Sequence, residues 1–337
     1  MKVLVTGGAG FIGSHLSDAL LKLGHEVTII DDLSTGRMEN IEHVIKYPNF
    51  KFAIETITNE TVMDRLVSEC DMIYHLASAV GVQLIVNKPV EVIERCVIGT
   101  HAVLKIANRY KKKTLIASTS EIYGKNDKVP FDEEDDRVLG ATTKSRWSYS
   151  CSKAIDEFLA LAYNKEMGLP IVIVRLFNTV GPRQTGQYGM VVPRFVAQAI
   201  RNEPITVYGN GAQSRCFCNV ADVVGALILL MENDRATGQV VNVGSQEEIT
   251  ILELAQRVKR ITGSKSKIVQ IPYDEAYEQG FEDMNRRIPS IAKINNLISW
   301  KPEISLDDTL FSVAMHLGFK AHAGNGKMNV VEEVVEA

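Results

Sequence analysis

An α/β fold, built as a doubly wound parallel sheet with a smaller domain interleaved towards the C-terminus, is what this sequence predicts, and three observations carry it. Short apolar runs rich in β-branched residues alternate with stretches of helical periodicity through the first half of the chain. The first of these runs passes into its helix through a glycine-rich turn. From about residue 178 the alternation loosens and later recovers, the mark of a second unit threaded through the first.

KVLVT (2–6) is the first strand, followed by GGAGFIG and an amphipathic stretch. There Ile12, Leu16, Ala19, Leu20 and Leu23 recur at helical spacing until Gly24 offers a stop. HEVTIID is the second strand, FKFAI the third, MIYHLA the fourth, TLIAST the fifth and IVIVRLFN the sixth, with helical patterns between most of them. Repeated βα units feed a parallel sheet covered by helices on both faces. Beyond residue 178, GPRQTGQYGMVVPRF has no clear period, and a further strand returns at QVVNVGS. Thr250 and Glu253 then form a capping box for a helix through ILELAQRVKRI. The expected division is residues 1–177 with about 217–242 in the larger domain and 178–216 with 243–320 in the smaller. An acidic, glycine-containing tail covers 321–337.

The chain has 337 residues, 45% of them hydrophobic, enough to bury a sizeable core. Its formal net charge of −4 is spread along the whole length, which excludes a basic footprint for nucleic acid and a polybasic membrane patch. A small molecule is the expected partner. MKVLVTGGAGFIGSHL is apolar at first, but glycines interrupt it well short of a spanning length and no cleavage pattern follows, so the expected location is cytoplasmic. Five scattered cysteines (Cys70, Cys96, Cys151, Cys216, Cys218) argue against a disulfide framework. Cys216 and Cys218 are close, but without nearby histidines they imply no metal site.

Gly7, Gly10 and Gly13 follow a strand and open a helix, the arrangement in which a backbone turns tightly, approaches a pyrophosphate and sets its charge at the helix N-terminus. Asp31 ends the next strand, where a carboxylate takes a ribose hydroxyl and repels a 2′-phosphate. This is the fingerprint of a Rossmann domain, with NAD favoured over NADP. Asp32 either shares that task or is a solvated turn acid.

Tyr149 and Lys153 stand four apart in SYSCSKAIDEFLALAY, so a helix there puts both on one face. A free tyrosine titrates near 10, and serving as a base at neutral pH requires about 4 kcal/mol of preferential stabilisation of the phenolate. A lysine ammonium and a nicotinamide cation could supply it in a desolvated pocket. The fifth strand ends in Ser118, Thr119, Ser120 and Glu121, at the sheet edge where doubly wound folds bind ligands.

Together, VTGGAGFIGSHL, YHLAS, STSEIYG, YSCSK, RLFNTVGPR and SRCFCNVADV resemble the extended short-chain dehydrogenase/reductase family of nucleotide-sugar epimerases, dehydratases and decarboxylases, from residue 1 to about 318. The resemblance implies a tightly held NAD, lined by Phe11, Ile12, Leu76, Ala77 and Ser78 besides the glycines. It further implies a UDP-sugar in the second domain, a homodimer, and transient oxidation of a sugar carbinol by Tyr149 and NAD⁺. Where 4,6-dehydratases of the family read Thr-Asp-Glu, this chain reads Thr119-Ser120-Glu121, and simple 4-epimerases lack the glutamate. The triplet is similar to that of UDP-glucuronate decarboxylases, as are KSRWSYSCSK and RRIPSIAKINNLISWKPEISLDDTL. The likeness places Arg287, with Arg286 as the adjacent alternative, opposite the sugar carboxylate, and Glu121 beside it. Asn178, Arg183, Arg194, Tyr208 and Arg215 match positions that hold diphosphate and uracil. His75 reads as a packed strand residue. A 4-epimerase, a 4,6-dehydratase and an NAD-binding scaffold without activity are the alternatives. Two departures are visible: Cys96 stands where the family usually has asparagine, and RQTGQYGMVV differs from the commonest decarboxylase loop.

Overall fold

A computed structural model describes residues 1–78, 81–186, 189–272, 275 and 284–320, and the expected tail, 321–337, lies outside them. The strands of the larger unit are β1 (Lys2–Thr6), β2 (Glu26–Asp31), β3 (Phe50–Ile54), β4 (Met72–His75), β5 (Lys113–Thr119) and β6 (Ile171–Leu176). The smaller unit contributes β7 (Thr179–Val180), β8 (Ile205–Tyr208), β9 (Ser214–Cys216) and β10 (Cys218–Asn219); β11 (Gln239–Val243), β12 (Glu248–Thr250) and β13 (Ile268–Ile271) follow. One parallel sheet of seven strands runs in the order β11-β6-β5-β4-β1-β2-β3. Strand order reverses between β1 and β4, which opens a crevice at the strand ends there.

Helices α1 (Phe11–Lys22), α2 (Glu60–Glu69), α3 (Val82–Asn87), α4 (Pro89–Arg109), α5 (Ser148–Met167), α6 (Val191–Ile200) and α7 (Val220–Glu232) precede α8 (Ile251–Ile261), α9 (Ala292–Ile298) and α10 (Leu306–His316). Alternate residues of each central strand enter different cores, as a side-chain period of two requires. Val3, Val5, Leu115 and Val172 join Leu16 of α1 and Val223 of α7 on one face. Leu4, Ile116 and Ile173 join Met63 of α2, Val103 of α4 and Ala160 of α5 on the other. Near-continuous apolar strands are therefore what a doubly covered sheet demands.

The first helix stops as expected: Gly24 takes φ +79° and its amide reaches the Leu21 carbonyl at 2.9 Å. Two strands are shorter than the apolar runs that announced them. The fourth ends at His75, because Leu76 and Ala77 leave the sheet to line the crevice, and the sixth ends at Leu176, because Asn178 turns to φ +31°. The smaller unit has a separate core of Phe195, Val196, Leu254, Val258 and Leu310 under three short two-stranded pairings. Residues 291–300 depart from the expected division: Ile294 and Trp300 are buried in the core of the larger unit, against α7. Among the described residues no helix is long and apolar enough to cross a membrane.

Candidate active site

A continuous cleft of about 780 Å³ runs from the glycine turn and Asp31, past Tyr149 and Thr119, to Tyr208, Arg215 and Arg287. At its first end the glycines are sterically required. A Cβ on Gly7, at φ +70°, would stand 2.8 Å from the Ala77 nitrogen, and one on Gly13 would stand 2.2 Å from the Gly7 carbonyl oxygen. α1 starts behind Gly10 with no side-chain cap, leaving first-turn amides facing the cleft. That cradle fits a dinucleotide pyrophosphate. Phe11, Ile12, Leu76, Ala77 and Ser78 line the same region.

Asp31 accepts from the Ala9 amide at 3.0 Å and the Leu33 amide at 2.9 Å, so the carboxylate that faces the cleft also braces the glycine turn. Burial pushes its carboxyl above the ordinary range, against the pull of those amides. Asp32 lines the cleft too but pairs with Arg95 at 3.1 Å and accepts from Ser34, half in solvent. Of the two acids, Asp31 is the more buried and has no cation paired to it among the described contacts.

α5 carries Tyr149 and Lys153 into the cleft on one buried face. Lys153 Nζ donates to Asp156 Oδ2 at 3.1 Å, and Asp156 is fully buried. Burial disfavours the ammonium, but Asp156, together with Cys96 and Tyr149, more than offsets it and keeps Lys153 charged. For Tyr149 the balance is consistent with the sequence expectation that lysine alone does not suffice. Burial raises the phenol well above 10 and Lys153 offsets only part of this, so the chain alone holds Tyr149 protonated and a further positive charge is required for phenolate. Cys96, in place of the usual asparagine, packs beside Tyr149 and lies 3.4 Å from Ser78 Oγ.

At the end of β5, Thr119 Oγ1 accepts from the Glu121 amide at 3.2 Å. Ser118 lines the cleft, but its hydroxyl is turned away to Glu157, at 2.5 Å. Glu121 is buried between two arginines: Arg287 Nη1 meets Oε1 at 2.8 Å, and Arg146 meets Oε2. Arg287 Nη1 also lies 3.5 Å from Ser120 Oγ. Burial would raise the Glu121 carboxyl, but Arg146, Arg287 and Arg215 together hold it down to about 2.

Of the adjacent pair of arginines, Arg287 is the one in the cleft, while Arg286 turns outward to Glu248 with two contacts of 2.7 Å. Asn178 Nδ2 donates to the Cys216 carbonyl at 2.9 Å, which ties the turn after β6 to β9. Arg194 stacks over Tyr208 at 4.1 Å, and Arg215 is buried with Nη1 2.7 Å from the Ser214 carbonyl. These four residues line the far end of the cleft. Arg183 does not: it pairs with Asp18 at 2.8 Å, drawn aside because that acid on α1 is within reach. His75 is a packed strand residue, bonded to Thr6 at 2.8 Å and Thr100 at 3.2 Å, and burial lowers it to about 3. No cluster of potential metal ligands occurs among the described residues.

Sequence reasoning gave no role to Arg146 or Asp156. One signal for Arg146 was present: a cation just ahead of a helix N-terminus opposes the helix dipole, so it calls for an acid partner.

Residues 4–312 match the model of a family described as GDP-mannose 4,6 dehydratase. The UDP-N-acetyl-alpha-D-glucosaminuronate decarboxylase of Bacillus cytotoxicus is 42% identical over 310 residues, covering 92% of this chain and 95% of that protein. The UDP-glucuronic acid decarboxylase 1 of Danio rerio is 38% identical over 311 residues, covering 92% and 71%. Among solved structures, the UDP-glucuronic acid 4-epimerase of Bacillus cereus, in complex with UDP-glucuronic acid and NAD, superposes with a TM-score of 0.85 at 29% identity, covering 94% of this chain and 99% of that one.

Proposed function

The chain belongs to the GDP-mannose 4,6-dehydratase family, within the extended short-chain dehydrogenases/reductases, and from that premise we propose that it is an NAD-dependent decarboxylase of a UDP-hexuronate. The observation that carries this reading is Arg287, 2.8 Å from Glu121 and 3.5 Å from Ser120, in the cleft that also holds Tyr149. A uronate bears its carboxylate on C5, the neighbour of the carbon that must be oxidised, and a guanidinium at that place can pair with it.

NAD, held at the glycine turn with its ribose on Asp31, would supply the two-electron acceptor for C4 and the positive charge that Tyr149 lacks. Tyr149 Oη takes the proton of the C4 hydroxyl, with Lys153 stabilising the phenolate and the Thr119 hydroxyl orienting the sugar oxygen. The oxidised sugar is a β-keto acid. Its bond from C5 to the carboxylate breaks, the electron pair passes into the C4 carbonyl, and CO₂ leaves. Thr119 and Ser120 steady the resulting enolate oxygen, an oxyanion-hole role. Arg287 and Glu121 organise the carboxylate beforehand and the delivery of a proton to C5 afterwards. Asn178, Tyr208, Arg194 and Arg215 are assigned to the nucleoside diphosphate.

Two substrates differ at C2. UDP-glucuronate fits the triplet Thr119-Ser120-Glu121, while the 42%-identical relative favours the 2-acetamido analogue. Incubating the purified protein with each, and identifying products by NMR, tests the proposal. CO₂ with a UDP-pentose or UDP-4-keto-pentose supports it. UDP-galacturonate without CO₂ would make the protein a 4-epimerase instead.

A further inference from the structure

Arg146 lies in the short turn Ser145–Trp147 directly ahead of α5, and its side chain is 2% exposed. Burying a guanidinium is costly unless it meets an acid, and beside a helix N-terminus the dipole adds to the cost. Arg146 is nevertheless placed against Glu121 Oε2, on the side opposite Arg287. The first turn of α5 fixes the same residue again, since Ser150 Oγ donates to the Glu121 carbonyl at 2.8 Å.

We propose that Arg146 is a positioning residue for the decarboxylation step, acting through Glu121: it holds one carboxylate oxygen so that the other keeps Arg287 aimed at the carboxylate of the substrate. The inference rests on the function proposed above and adds to it the residue that sets its selective step. The charged and titratable groups facing Glu121 come from four places. Arg146 comes from the turn before α5, Arg287 from the segment after Met284, Arg215 from β9 and Tyr149 from α5. Arg146 is foremost among the cations that counter the effect of burial on Glu121. Without it, Glu121 takes up a proton at higher pH and loses its charge-assisted hold on Arg287.

Arg146→Met and Arg146→Lys in the NAD-loaded enzyme separate this role from packing. With Arg146→Met, reduced nicotinamide should still form from UDP-hexuronate within about threefold of wild type, while CO₂ release slows at least about tenfold. The acid limb of the kcat profile should move to higher pH, and Arg146→Lys should recover most of the rate. Infrared titration, using Glu121→Gln to assign the carboxyl band, should show Glu121 protonating at higher pH in Arg146→Met than in wild type. Equal loss of reduced nicotinamide and of CO₂, or an unmoved Glu121 titration, would overturn the proposal. Should Arg146→Met not fold, Arg146→Gln against Arg146→Lys makes the same comparison. A wild-type enzyme that releases no CO₂ from either UDP-hexuronate sinks the proposed function instead. The infrared titration needs no substrate and still decides whether Arg146 acts on Glu121.

Discussion

Glu121 meets Arg287 inside the cleft, whereas Arg286, one residue earlier, turns outward to Glu248 and is half exposed. Arg287→Ala should therefore abolish CO₂ release with folding and NAD binding intact, and Arg286→Ala should leave turnover within about twofold, as expected for a surface pair. Equal effects of the two would remove the carboxylate-handling role from Arg287. Tyr149→Phe keeps the ring but not the acid/base, so turnover should fall at least about 10²-fold while NAD still binds, as calorimetry can show. His75 has a different consequence. It is neutral in the fold, lowered to about 3 from 6.5, so below 6.5 the unfolded chain binds the extra proton. Stability falls as pH drops from 6.5 and the loss levels off near 3, with a slope approaching about 1.4 kcal/mol per pH unit. His75→Asn should flatten that segment of the denaturation profile, and an unchanged slope would assign it to other groups. The glycines, Asp31, Tyr149 and Lys153 were legible in the sequence because each depends on local spacing. Arg146, Asp156 and the outward turn of Arg183 were not, because each is defined by a partner that only the fold supplies.

At the scale of elements, the central strands of the main sheet were legible because burial on both faces leaves near-continuous apolar runs, while the edge strand β3, buried only at Phe50, was announced by its apolar and polar alternation. The smaller unit was harder to read. Its β8, β9 and β12 span three or four residues each, too few to establish a period. α8 is the exception there, announced by its cap. Thr250 Oγ1 accepts from the Glu253 amide at 3.1 Å, and Glu253 Oε2 accepts from the Thr250 amide at 3.1 Å. Its core face, Leu254, Ala255 and Val258, is buried against α6 and α10. Thr250→Ala should cost about 1 kcal/mol, read as a lower denaturant midpoint with unchanged slope. A loss below a few tenths would mean that packing alone holds the first turn of this helix.

The whole molecule leaves an apolar face uncovered on the pair α4 and α5, which pack against each other. Val90 (67% exposed) lies on α4, and Ile155 (49%) and Phe158 (66%) lie on α5. Along α5 the exposed positions Cys151, Ile155 and Phe158 recur at intervals of four and three, the stripe by which one helix packs against another. A stripe of this kind on two adjacent helices is self-complementary about a twofold axis, so a second copy of this chain can cover it with a four-helix contact. A homodimer of the kind expected from the sequence resemblance would use this face. The opposite face of α5 carries Tyr149 and Lys153, so the assembly would stiffen the catalytic helix from behind. Ile155→Lys tests this with little risk to the protomer, since the position is solvent-facing in the single chain and lysine is a good helix former. In the dimer the twofold axis brings two like charges into one apolar seam, and an unpaired buried charge is strongly destabilising. Sedimentation should show wild type as a dimer and Ile155→Lys as a monomer with a lower Tm, its NAD affinity reduced as α5 loosens. A wild type that sediments as a monomer, or an Ile155→Lys variant that remains a dimer, would assign this face to another partner and leave α5 to be held by its own core contacts alone.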